Sequence, residues 1–259
     1  HRDLHSFPTR RSSDLGFFSR IKKELLFAKN IKKIGFDIVI NTTEGDRGAI
    51  LALASGAKTR VGITPKNRLL GLAYTHTFQK QGSLHIVEWG LKALEALGLA
   101  IKEKKVYMHT SKEAKSSIES LGLPEKYIHI HPVSRWSFKA LDTTKLAQII
   151  DYIEIGLNTR CILTASSDKK ELTLIENTLK LCKSSPASLC GKLSLQEVAE
   201  LAKKAHLFIG SDSAVMHIAA AEDTPVLAFF GPSGAFHWGA WDNSRSEERR
   251  VGKECRSRW

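Results

Sequence analysis

The chain has 259 residues, 42% of them hydrophobic and 25% charged, with 39 Lys and Arg against 27 Asp and Glu. That apolar share supports a sizeable core and excludes a wholly disordered chain, and the length suits one large domain or two ordinary ones. No uninterrupted apolar run approaches the roughly 18 residues that cross a bilayer, and the four cysteines (Cys161, Cys182, Cys190, Cys255) form no CxxC pair, which argues against a disulfide framework or a structural zinc site and favours a reducing compartment.

In chain order, the first peptide does not read as part of a fold. One back-translation of His5–Leu15, read on the opposite DNA strand, encodes Arg245–Glu254 and, with one further T, Cys255. Two ends written by complementary strands of one DNA word point to a shared artificial source, and the word resembles a common short-read sequencing adapter. Residues 1–15 and 244–259 are therefore expected to be artefactual and are set aside, and the native protein is expected to be cut at both ends. The segment between them, 16–243, holds 30 basic and 22 acidic residues, a net charge of +8 against the chain's +12. That excess is ordinary for a protein that handles phosphates, whereas the arginine-rich ends would have argued for nucleic acid.

Residues 17–34 are predicted as a strongly basic helix and 36–41 as a strand, followed by a small-residue helix over 48–55 and a strand over 59–63. Apolar residues at helical spacing mark 85–97, which stops at Gly98, and a further helix covers 111–121, closed by Gly122 and Pro124. Beyond Pro124 the alternation is cleaner. Strands are predicted over 127–131, 160–165, 187–190, 206–210 and 225–230, and helices over 143–155 (capped by Asp142), 168–182, 194–203 (capped by Ser194) and 213–221. Strands alternating with such helices mean βαβ units and a parallel sheet. A domain boundary is expected near Leu123–Pro124, giving domains 16–123 and 124–243.

Four segments follow predicted strands and suit phosphate or sugar chemistry, because ligands of open α/β sheets sit at the carboxyl ends of strands. In Gly210-Ser211-Asp212-Ser213-Ala214, the amides of Ser213 and Ala214 would point at an anion, aided by the helix dipole. Asp212 would cap that helix or accept from a sugar hydroxyl, and His217 lies one turn along the same face. In His131-Pro132-Val133-Ser134-Arg135-Trp136-Ser137-Phe138-Lys139, a hydroxyl, a guanidinium and an ammonium (Ser134, Arg135, Lys139) together suit a diphosphate, although an exposed basic loop reads the same way. Glu171 opens a helix where it would take ribose hydroxyls or simply face solvent. Gly191-Lys192-Leu193-Ser194 is a turn whose backbone would meet a base. Trp136, Trp238 and Trp241 read equally as walls of a site or as packing. His129 and His131 share one strand face but have no third ligand nearby, so a structural role is favoured over a metal. The sequence lacks GxxxxGK[ST], GxGxxG, HExxH and GxSxG, which argues against P-loop enzymes, common dinucleotide oxidoreductases, zincins and α/β-hydrolases.

Taken together, His131-Pro132, Ser134-Arg135, Lys139, Gly191-Lys192-Leu193-Ser194-Leu195, Gly210-Ser211-Asp212-Ser213-Ala214, His217 and Thr224-Pro225 through Phe230-Gly231-Pro232 resemble glycosyltransferase family 9, the bacterial lipopolysaccharide heptosyltransferases, over roughly 17–243. The spacing of Arg135–Lys139 and of Phe36–Asn41 with Arg47 is similar to the heptosyltransferase III branch. The resemblance implies an α/β GT-B fold of two Rossmann-like domains, the N-terminal one incomplete here. It implies inverting transfer from ADP-L-glycero-D-manno-heptose without cofactor or bound metal, and a lipid A–core acceptor at the cytoplasmic leaflet, hence a cytoplasmic protein peripheral to the inner membrane. It assigns Lys139, Arg135 and Ser134 to the diphosphate, Glu171 to the ribose, the Leu193 backbone to adenine, Asp212, Ser213, Ala214 and His217 to heptose and phosphate, and Glu44 and Arg47 to the acceptor side. Leu141 departs from the tryptophan that relatives often carry near the end of the lysine loop.

The family's catalytic aspartate is expected upstream of Phe17, so the catalytic residue is left unassigned, and the fragment is expected to be inactive and to bind nucleotide weakly where its C-terminal domain folds. Two other readings stand beside this one. The first is a GT-B transferase or epimerase using another nucleotide sugar. The second is a basic protein binding nucleic acid or an anionic membrane through the helix with Arg20, Lys22, Lys23, Lys29, Lys32 and Lys33, although that helix has no interleaved aromatics for base stacking.

Overall fold

The computed structural model describes residues 17–79, 82, 84–134, 139–231, 234–241 and 247–250, with 17–21 and 247–250 described as backbone alone. The chain divides into two compact units, one up to Lys102 and one from Glu103 onward.

The first unit runs α1 (Phe17–Ile34), β1 (Ile38–Asn41), α2 (Asp46–Ala54), β2 (Thr59–Ile63), α3 (Arg68–Gly71), β3 (His76–Phe78) and α4 (Ile86–Glu95). Its three strands pair in parallel in the order β1-β2-β3. Small residues let helix and sheet close on each other: Ala49, Ala52 and Ala73 are buried with Tyr74, and Val61, Phe78 and Ala93 form a second cluster. Gly62 is part of this fit, because a Cβ there would stand 2.3 Å from the Tyr74 ring. The α4 helix starts at a capping box in which the His85 side chain accepts from the Val87 amide and Glu88 reaches back to the His85 amide. Short α3 and β3 escape the sequence reading, since four and three residues carry too little periodicity.

The second unit runs α5 (Lys112–Ser120), β4 (Tyr127–His131), α6 (Thr143–Asp151), β5 (Arg160–Leu163), α7 (Lys169–Leu181), β6 (Ala187–Ser188), α8 (Leu195–Lys204), β7 (Leu207–Ser211), α9 (Ala214–Ala221), β8 (Val226–Phe230), α10 (Ala235–Trp238) and β9 (Glu247–Arg250). All strands are parallel, in the order β6-β5-β4-β7-β8-β9. Counted within the unit this is 3-2-1-4-5-6, the doubly wound order, and its switch point falls between β4 and β7. Every residue of β4 is buried, as a central parallel strand covered on both faces requires. The predicted caps form: Asp142 accepts from the Thr144 and Lys145 amides, and Ser194 with Glu197 makes a capping box.

The structure differs from the sequence reading in three places. The helix over 143–155 is α-helical only to Asp151 and then widens into a π turn, Tyr152–Gly156. The unit division falls at Lys102, ahead of Leu123–Pro124, because α5 packs on α8: Ser117 Oγ donates to Glu197 Oε1 at 2.6 Å, and Ile118 is buried with Tyr127, Ile162 and Leu201. The β9 strand, parallel to β8, falls within residues 244–259, where the sequence predicts no part of the fold.

Candidate functional site

The sharpest site in the second unit lies at the switch point. There β4 and β7 run side by side, His131 against Gly210. The approach is close enough that a Cβ on Gly210 would stand 2.5 Å from the His131 carbonyl oxygen. Just beyond, the Ser211 hydroxyl donates to the Val133 carbonyl at 3.0 Å, tying the two departing loops together.

Next in the chain, Asp212 Oδ2 accepts from Lys139 Nζ at 2.6 Å, the two side chains being 9% and 17% exposed. The structure thus brings together two residues 73 positions apart in sequence. Ser213 is extended and caps α9, its hydroxyl accepting from the Met216 amide at 3.4 Å. Ala214 is exposed at the helix start, and His217 is half-buried one turn on. Hence an ammonium, a carboxylate, a hydroxyl and a helix N-terminus share the crevice where an open α/β sheet holds an anionic ligand. Ser134 follows β4 and is half-buried, whereas Arg135 and Trp136 lie outside the described residues.

A second corner lies at the ends of β5 and β6. Glu171 Oε2 accepts from the Ser166 amide at 2.9 Å and from its hydroxyl at 2.7 Å, which shapes the turn after β5. The Gly191 amide donates to the Ala165 carbonyl at 2.9 Å, and Gly191 takes φ +70°, which brings the turn before Leu193 against the Ser166 loop. Leu193 is half-buried and packs on the apolar clusters of the unit. Its backbone, rather than its side chain, is what this corner offers.

Beneath the switch point sits a group that the sequence reading saw only in part. His129 Nε2 and His131 Nδ1 both bond the Thr164 hydroxyl, at 2.7 and 2.9 Å. Burial holds both imidazoles neutral, lowering His131 to about 4 and, with His131 nearby, His129 to about 3. These are braces of β4 on β5. Thr164 carried no signal of this role, which depends on strand register. Among the described residues no cluster of His, Cys, Asp or Glu is suited to a metal. Trp241 is bound up differently from a site wall, its indole donating to the Lys104 carbonyl at 2.7 Å. Leu141, half-buried, packs on the cluster around Leu146 and Ile150.

In the first unit, Glu44 and Arg47 follow β1, and both border an open, mainly apolar cavity of about 990 Å³ beside Phe27, Ile31, Ile38 and Ile40. The Asn41 side chain builds their turn: its Oδ1 accepts from the Thr43 amide and hydroxyl, and its Nδ2 donates to Tyr74 Oη at 2.7 Å. Arg47 Nη2 lies 3.1 Å from Glu24 Oε1 in a largely exposed pair.

Comparison with known proteins decides the family. The profile of glycosyltransferase family 9 (heptosyltransferase) matches residues 25–256. The chain belongs to glycosyltransferase family 9. Lipopolysaccharide heptosyltransferase 3 of Escherichia coli K12 is 31% identical over 234 residues, covering 87% of this chain and 67% of that protein. Across three curated relatives the chain spans 67%, 63% and 59% of their lengths. Among solved structures, a family 9 glycosyltransferase from Veillonella parvula aligns at TM-score 0.77 and 21% identity, over 92% of this chain and 69% of that one. The E. coli heptosyltransferase WaaC with ADP aligns at 0.68 and 19%, over 91% and 73%. The fold class of the family 9 chain is accordingly GT-B, built on Rossmann-like α/β units with parallel sheets.

Proposed function

We propose that the protein from which this chain comes is an inverting heptosyltransferase. It moves heptose from ADP-L-glycero-D-manno-heptose to a lipopolysaccharide core acceptor. The observation that carries this reading is the Lys139–Asp212 pair at the β4/β7 switch point, next to the N-terminus of α9.

Inversion at the anomeric carbon needs charge relief for the departing ADP. Lys139 supplies an ammonium and, with Arg135, faces the diphosphate. Ser134 and the amides of Ser213 and Ala214 donate to its oxygens. Asp212 hands Lys139 over to the phosphate and takes sugar hydroxyls, with His217 beside it. Glu171 keeps its Ser166 contacts through Oε2 and offers Oε1 to the ribose, while the Leu193 backbone meets adenine. In this reading no metal and no cofactor takes part. Glu44 and Arg47 serve the acceptor, which is anchored by lipid at the cytoplasmic leaflet, so the protein works at the periphery of the inner membrane. No catalytic base is assigned within this chain.

Calorimetric titration tests the reading. ADP and ADP-heptose bind the chain, UDP and UDP-sugars bind at least about tenfold more weakly, and Lys139→Ala removes most of the ADP heat. Equal binding of UDP-sugars returns the site to another GT-B enzyme.

A further inference from the structure

The two most exposed large apolar side chains among the described residues are Leu69 and Leu72, each 76% exposed and both on or beside α3. The helix sits on the crossover that leaves the carboxyl end of β2 and returns to β3. It is short but well fixed. The Asn67 side chain accepts from the Leu69 amide at 3.0 Å, and Leu70 turns inward against the cluster of Ala49, Ala52, Ala73 and Tyr74. The Arg60 guanidinium pins the base of the limb by donating to the Ala73 and Ala57 carbonyls, each at 2.6 Å. A rigid support therefore holds two leucines away from the core, and neighbouring α2 exposes Ile50 and Leu53 as well, at 57% and 58%.

Along the sequence, the charge flanking these leucines is of one sign. Lys66 and Arg68 flank them, both exposed, and no carboxylate pairs with either among the described residues. From Arg47 to Val87 the sequence holds Arg47, Lys58, Arg60, Lys66, Arg68 and Lys80 and not one Asp or Glu. Leucines held out of the core and flanked by unopposed cations match an anionic bilayer surface: the apolar groups enter the headgroup–acyl boundary and the cations meet lipid phosphates.

We propose that the α3 limb is a membrane-docking surface that seats Leu69 and Leu72 in an anionic phospholipid leaflet. Its purpose rests on the lipid-anchored acceptor proposed above, since docking would bring the acceptor unit to the surface that carries its substrate. The docking itself is independent of which sugar nucleotide is used.

The test is cosedimentation of the full chain with phosphatidylcholine vesicles containing about one third phosphatidylglycerol, alongside pure phosphatidylcholine vesicles. The chain pellets with the anionic vesicles and not with the neutral ones. Leu69→Ser with Leu72→Ser, and separately Lys66→Glu with Arg68→Glu, each lower the partition at least about fivefold. Leu195→Ser, at an exposed position that opens α8 of the second unit, leaves it unchanged. Unchanged thermal melting of the variants separates docking from folding. The proposal is overturned if neither pair lowers the partition, if Leu195→Ser lowers it equally, or if duplex DNA binds more tightly than the vesicles and competes them off. ADP titration of the same samples keeps the two readings apart, because a chain that binds ADP but ignores vesicles refutes the docking surface alone.

Discussion

Lys139 and Asp212 neutralise each other across the switch point, Nζ 2.6 Å from Oδ2, with little of either side chain open to water. Each is the counter-charge of the other until an anion arrives. Lys139→Ala would take the ammonium away from a mostly buried carboxylate, at a cost of about 2–4 kcal/mol in urea unfolding, somewhat below the fully buried case. The same variant should weaken ADP binding by about 10- to 100-fold, as expected for one charge-assisted contact. A variant that keeps full ADP affinity would remove Lys139 from the site.

The imidazoles of His129 and His131 make stability fall in acid. Both are held neutral in the folded chain, at about 3 and about 4, and recover an ordinary value near 6.5 on unfolding. Only the unfolded chain takes up their protons as pH drops below about 6.5, so stability declines from there toward pH 4. By pH 5 the loss is roughly 2 kcal/mol for each ring. His129→Phe, which sets a ring that takes up no proton beside Phe208, where His129 packs edge-on at 5.1 Å, should remove about half of that decline whatever it costs at pH 7. Urea midpoints at pH 7 and pH 5 measure it.

Gly210 has no room for a side chain. Gly210→Ala would press a Cβ to 2.5 Å from the His131 carbonyl oxygen and should cost at least about 2 kcal/mol, with loss of ADP binding as β4 and β7 separate. Gly231→Ala is the comparison, since a Cβ there meets nothing within 4 Å. Equal melting temperatures for the two variants would contradict the close strand contact.

Glu171 is exposed enough to alter without unfolding the protein. Glu171→Gln keeps an acceptor for the Ser166 amide and hydroxyl and should change stability by less than about 1 kcal/mol. It should still weaken ADP several-fold relative to inorganic diphosphate, because only the former carries a ribose. Parallel loss for both ligands would place Glu171 at the phosphates instead.

Much of this was legible in the sequence because the second unit follows simple rules. Strands from Tyr127 and Leu207, caps at Asp142 and Ser194, and the small-residue turn at Gly210 all announce themselves locally. The pairing of Lys139 with Asp212 did not, because it depends on strand order, and no local pattern encodes that β4 lies beside β7. The same holds for Thr164, an unremarkable residue until register places it between two histidines. In the first unit α3 and β3 are too short to show a period, and what fixes them is the Tyr74 ring over Gly62.

The seating of α5 on α8 has a practical consequence for anyone who wants the second unit alone. Ser111 and Ser117 hold Gln196 and Glu197, and Ile118 fills a berth shared with Tyr127 and Leu201. Trimming back to Pro124 would strip that cover and leave a greasy, carboxylate-lined scar on α8, inviting aggregation. Cutting at Glu103 instead preserves the whole clasp, including the lysine rung between Lys105 and Asp223.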